Sequence, residues 1–134
     1  MTISSPGIII SGGLTGFAGP WLTSVEVLDP TTGQICSLPS MPHRRSGHTM
    51  ESLTICGGDA YNASDAIYTT CITLSSSEWE TSHTLGEKRG YHSSWVTEEG
   101  TMLLGGNYSP NTTEIVKQTE FDAVPGFTLQ HDFE

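Results

Sequence analysis

The stretch Leu53-Thr54-Ile55-Cys56-Gly57-Gly58 decides the fold, because two others share its shape: Ile8-Ile9-Ile10-Ser11-Gly12-Gly13 and Met102-Leu103-Leu104-Gly105-Gly106. Each is a short apolar run closed by a glycine pair, and the pairs recur at spacings of 45 and 48 residues. Runs of this length bounded by glycine suit strands rather than helices. The paired glycines permit positive φ and a close approach of neighbouring backbone, which a Cβ would prevent.

Working outward, each pair is followed by a loop of variable length and then an alternating segment: Val25 to Leu28, Ala66 to Leu74, and Thr113 to Phe121. A turn and a large apolar residue come next. Trp79 lies 21 residues after Gly58, Phe127 lies 21 after Gly106, and Ile35 holds the place in the first copy. Two copies then share an Arg-x-x-His step, Arg45 to His48 and Arg89 to His92, each Arg ten residues after Ile35 or Trp79. Asp29-Pro30-Thr31-Thr32-Gly33 is a turn by its own chemistry, Asp and Pro starting it and Gly supplying positive φ.

Composition agrees with strands. The 134 residues include 18 Thr, 9 Ile and 15 Gly against five Ala and two Lys, so β formers dominate and helix formers are scarce. Five Lys and Arg against 15 Asp and Glu leave a net charge of −10, which opposes binding to a nucleic-acid backbone or an anionic membrane. The longest apolar run is near Gly7-Ile8-Ile9-Ile10, far short of the roughly 18 residues of a membrane span. No Lys or Arg precedes that run, so it is not expected to act as a secretory signal as it stands.

A strand ending in a double glycine, an aromatic about 21 residues later and an Arg-x-x-His step ten beyond it resemble the kelch repeat, whose units of about 50 residues form four-stranded propeller blades. The resemblance implies an all-β, kelch-type β-propeller fragment of about three antiparallel blades: blade 1, partial, 7–38; blade 2, 46–85; blade 3, 91–134, its fourth strand near the chain end. Within it, Gly12, Gly13, Gly57, Gly58, Gly105, Gly106, Arg45, His48 and His92 are structural repeat positions, and Trp79 and Phe127 pack between blades. Rings close with four to eight blades. This one is therefore expected to stay open, with apolar outer faces prone to self-association.

The same resemblance brings in copper-radical oxidases related to galactose oxidase, whose chemistry needs Tyr, His and a cross-linked Cys around one copper. The histidines His43, His48, His83, His92 and His131 do not cluster, no CxxC, HxH or HExxH occurs, and Glu98-Glu99 reads as a turn. No enzyme, cofactor or metal is therefore expected. With the four strands of a blade lettered a to d in chain order, so that the apolar run before each glycine pair is strand b and the alternating segment after it strand c, Cys56 closes strand b and Cys71 lies on strand c beside it. A cross-strand disulfide and two free buried thiols both remain open, while Cys36 has no evident partner. Sequons at Asn62, Asn107 and Asn111 fall in the b–c loops, Pro110 weakening Asn107. Together with the cysteines they favour an extracellular or secreted glycoprotein over a cytoplasmic one.

Loops b–c and d–a of such a blade emerge on one face, which in kelch families commonly captures a protein or peptide. Here they carry Trp21, Arg44, Tyr61, Asn62, Arg89 and Tyr108, with Phe17, Pro20, His43 and Asn111 beside them. Trp, Tyr and Arg are the types enriched in binding hot spots. The competing role for Arg45 and Arg89 is to bridge blades through backbone carbonyls, which leaves Arg44 the better binding candidate. The function expected is a non-enzymatic protein-interaction module; an oxidase propeller and a purely structural fragment are the alternatives.

Overall fold

A computed structural model describes residues 7–17, 19–60 and 64–117. Over these the chain is all-β, in three antiparallel sheets, none closed on itself. The first holds β1 (Ile8–Ser11), β2 (Val25–Leu28) and β3 (Ile35–Leu38) in that order. The second holds β4 (Thr49–Glu51), β5 (Thr54–Cys56), β6 (Thr70–Ser75) and β7 (Glu78–Thr84). The third holds β8 (Ser93–Thr97), β9 (Gly100–Leu104) and β10 (Thr113–Val116). Phe127 and the fourth strand expected near the chain end lie outside the described residues. No helix among the described residues is long and apolar enough to cross a membrane.

Turn chemistry sets the hairpins. Asp29 accepts bonds from the Thr31 amide at 2.8 Å and the Thr32 hydroxyl at 2.9 Å, while Gly33 takes φ 72° and its amide returns to the Asp29 carbonyl. The Thr31 amide holds the Asp29 carboxyl below the usual carboxylate range. Glu98 and Glu99 form the tight turn between β8 and β9.

One expected strand is partly replaced. Asp65–Tyr68 forms a single helical turn, α1, and β6 begins only at Thr70. The turn buries the Ile67 side chain and aims its carbonyl at the Arg45 guanidinium, 3.2 Å away. The Thr70 hydroxyl closes it by donating to the Ala66 carbonyl.

Because side chains alternate across a strand, register assigns every residue to a face. In the second sheet, Met50, Ile55 and Ile72 are paired neighbours on one face, and Thr49, Cys56 and Cys71 on the other. The first face packs on Val25, Val27 and Leu38 of sheet one, with Ile9, Cys36 and Trp79 at the margin. The second packs on Leu103 and Val116 of sheet three. Trp79 is half-buried, and its indole N–H donates to the Pro39 carbonyl at 2.7 Å, tying the second sheet back to the first.

Cys56 and Cys71 stand opposite in the β5–β6 register and are joined by a disulfide; Cys36 is a free, half-buried thiol. The bridge closes a span of 15 residues, for which restriction of the unfolded chain contributes about 3 kcal/mol. Reduction is expected to lower the melting temperature accordingly. Alkylation of the denatured, unreduced chain should label Cys36 alone, and three labels would contradict the bridge.

Candidate functional site

The joints between sheets are built from one repeated device. Gly12, Gly57 and Gly105 close their strands at φ 56°, 60° and 63°, and the amides of all three donate to a carbonyl at the start of the returning strand, that of Ser24, Thr70 and Thr112. The amides of Gly13 and Gly58 then reach across to the carbonyls of Arg45 and Arg89, at 2.8 and 2.9 Å. Within the second and third units, the Asp59 and Asn107 amides make a matching pair of bonds, to the carbonyls of Ser46 and Gly90. The equivalence of the copies thus extends to single hydrogen bonds.

Both arginines point into their own sheet. The Arg45 guanidinium donates to the carbonyls of Gly57, Ile67 and Thr70 and to the Thr70 hydroxyl; Arg89 donates to the carbonyls of Gly105 and Thr112 and to the Thr112 hydroxyl. Arg89 is fully buried and also lies 3.7 Å from Glu114. Its expected place among the partner-binding residues is therefore corrected. A planar fork of five donors can satisfy several converging carbonyls at once, which is why burial of this cation is tolerated.

The paired histidines complete the joints. His48 Nε2 shares a hydrogen bond with the Ser11 hydroxyl at 2.7 Å, and His92 Nε2 with the Thr49 hydroxyl at 2.8 Å. Burial, reinforced by Arg45 and Arg89 respectively, pushes both imidazoles down to about 4. The folded chain therefore refuses protons that the unfolded chain binds between pH 6.5 and 4. Stability is full above that window, falls as pH drops through it, and levels below it. Thermal midpoints measured from pH 7 to 4 should trace this decline, and the double variant His48→Gln, His92→Gln should flatten it; an unchanged midpoint in the parent would refute the assignment.

With these residues committed to the joints, the loops above them present a different surface. The Trp21 indole donates to the Ser46 hydroxyl at 3.1 Å, and that hydroxyl donates to the Asp59 carbonyl at 3.3 Å. Tyr68 donates its hydroxyl to Asp59 Oδ1 at 2.8 Å and meets Tyr108 edge to face, ring centroids 4.9 Å apart at 70°. An arc of Trp21, Tyr68 and Tyr108 thus spans the three units, with the Asp59 carboxylate between its members. Burial and the bonds to Tyr108 and Asp59 raise the Tyr68 phenol above its ordinary range, so it stays a neutral donor.

Of the expected binding residues, Tyr108 and Arg44 are exposed, and Trp21 is half-buried as a brace between the first and second units. Tyr61 and Asn62 lie outside the described residues. Phe17, Pro20, His43 and Asn111 are exposed on the same set of loops. Tyr91, not anticipated, sits at φ 53°, where its repeat equivalent Gly47 takes 60°; its ring lies against Gly47 and half of it faces solvent. Tyr68 and Asp59 were also missed, since an alternating Ala66-Ile67-Tyr68 reads as strand and a lone Asp after a glycine pair reads as turn. A small cleft of about 30 Å³ lies between the second and third sheets, lined by Thr49, Glu51, Thr54, Thr73, His83 and Lys117 among others. Among the described residues no three His, Cys, Asp or Glu side chains converge as metal ligands would.

No protein-family model matches the chain, and no curated protein matches it at a significant level.

Proposed function

We propose that the chain is a kelch-type propeller segment that works as a non-enzymatic interaction module, binding a peptide that carries a basic residue across its loop face. The aromatic arc with Asp59 at its middle is the observation that carries this reading. Tyrosine and tryptophan offer large contact area at low conformational cost, and a lysine or arginine laid on Tyr108 gains both the ring's face and the neighbouring carboxylate. A net charge of −10 attracts such a ligand at long range and discourages acidic ones. The kelch reading is supported by the glycine pairs, the four-stranded second sheet and the hydrogen bonds that recur from unit to unit. The Cys56–Cys71 bridge supports an oxidising, extracellular compartment, where the exposed Asn111 sequon would accept a glycan.

Peptide display against the immobilised chain tests this. Selected sequences should be enriched in Lys and Arg, bind more weakly as salt rises, and lose at least about tenfold in affinity, roughly 1.4 kcal/mol, on Tyr108→Ala or Asp59→Asn, both expected to leave the fold intact. Selected peptides indifferent to both variants would sink the reading. Release of hydrogen peroxide from an alcohol on adding copper would replace it with the oxidase alternative.

A further inference from the structure

Register gives each sheet two unlike faces, and the two joints within the chain always pair the same two kinds. Ile10, Ile55 and Leu103 hold equivalent places two residues before the first glycine of each pair. Ile55 faces sheet one and Leu103 faces sheet two, so this is the backward face of a unit. The opposite, forward face carries Ser11, Cys56 and Leu104, each immediately before a glycine pair. Every internal joint is therefore forward face against backward face.

That rule leaves one face of each kind uncovered among the described residues. Sheet one exposes its backward face, where Ile8, Leu28 and Ile35 are register neighbours and Ile10 pairs with Glu26. Ile8, Ile10 and Ile35 are 52, 47 and 59% exposed. Sheet three exposes its forward face, where Trp95, Met102 and Ile115 are register neighbours, Trp95 67% exposed. Two apolar surfaces of this kind on a chain of this charge are unusual for a monomer.

We propose that a second copy of this chain covers both: the forward face of sheet three in each copy packs on the backward face of sheet one in the other, giving a closed ring of six blades. The occupant is argued from continuity, since the new joint repeats the pairing already made twice within the chain. Three units from each of two copies make six, a number within the range of known propellers. The ring size rests on the propeller reading proposed above, while the pairing of unlike faces rests on register alone. This joint forms between separate chains, so association depends on concentration. Because both copies are acidic, salt should strengthen it by screening their repulsion, the reverse of its effect on a basic peptide.

Sedimentation velocity and light scattering on the full chain read this directly. The mass should rise with concentration to twice the 14.4 kDa of one chain and stop there. Ile10→Glu and Trp95→Glu, each at an exposed position and each leaving circular dichroism unchanged, should give monomers. Mixed together they should form a heterodimer, because the intact forward face of one variant still meets the intact backward face of the other. A parent that stays monomeric at every concentration overturns the proposal, as would happen if another polypeptide segment covers these faces. Sensitivity to only one substitution, with no rescue on mixing, would show like faces pairing and overturn it too. Growth beyond two copies would overturn the ring while leaving the alternation of faces in place.

Discussion

Replacing Arg45 by Ala is expected to destabilise the chain by about 3–5 kcal/mol, the cost of breaking a buried, hydrogen-bonded charged centre. Against a total of about 5–15 kcal/mol for a domain of this size, that leaves a substantial unfolded population at room temperature. Four bonds disappear at once, to Gly57, Ile67 and twice to Thr70; the Gly57 and Ile67 carbonyls lose the guanidinium, while the Thr70 carbonyl keeps the Gly57 amide. A cavity adds to the loss, since Arg45 is 1% exposed. The loss also spreads, because the Ile67 carbonyl holds α1 in its helical turn and Tyr68 follows directly. Lysine should rescue little: it carries the charge but lacks the planar fork that reaches both the glycine pair and the returning strand. Arg89→Ala should cost a similar amount, through the equivalent bonds to Gly105 and Thr112. Urea denaturation of the three variants checks this, and a loss below about 1 kcal/mol for Arg45→Ala would contradict the buried-fork account.

The second large effect is at Gly57. A Cβ there would stand 2.5 Å from the Arg89 carbonyl oxygen and 2.9 Å from His92 Cε1, at φ 60°. The carbonyl cannot yield, because it accepts the Gly58 amide at 2.9 Å and so forms part of the joint itself. Left-handed backbone costs a residue with a side chain about 1–2 kcal/mol, and overpacking adds about 1–3, so Gly57→Ala should lose about 2–5 kcal/mol. Gly33→Ala separates the two contributions. Its φ of 72° is similar, but nothing lies within 4 Å of the added atom, so only the conformational part should be lost. Equal losses at the two positions would mean that the second and third sheets do not meet at Gly57.

Much of the architecture is legible in the residues because each repeat position has a chemical necessity of its own. A glycine pair is required where positive φ and a crossing backbone coincide, and both properties write themselves into residue type. The step from Arg45 to His48 is legible for the same reason, since a fork of donors and a neutral ring are needed three residues apart. What could not be read are choices that depend on where carbonyls end up. Asp65–Tyr68 lies in a stretch whose alternation suits a strand, yet it forms a helical turn whose Ile67 carbonyl accepts from the Arg45 guanidinium, a partner 22 residues away. Arg89, flanked by Lys88 and Gly90, has the local look of a solvent-exposed loop cation, yet its partners are backbone atoms from residues 105 and 112. The spacing of Cys56 and Cys71 left bridge and free thiols equally open; the β5–β6 register puts them opposite and joins them. The arc across the loop face was half legible: Trp21 and Tyr108 stand out by type, but the bonds that link them through Ser46, Asp59 and Tyr68 cross three units and leave no local trace.

One joint, made of a glycine, an arginine carbonyl and a neutral histidine, is used twice to set the sheets side by side. Its most direct test is a two-dimensional nuclear Overhauser spectrum of the full chain at pH 7. The His48 ring Cε1 lies 3.0 Å and the His92 ring Cε1 2.9 Å from where a Cβ would stand on Gly12 and Gly57. The account predicts strong cross-peaks from the Hε1 proton of each ring to the α-protons of its own glycine, with both rings titrating well below pH 6. Histidine Hε1 signals that lack those cross-peaks, or that titrate near 6.5 as in an unfolded chain, would contradict it.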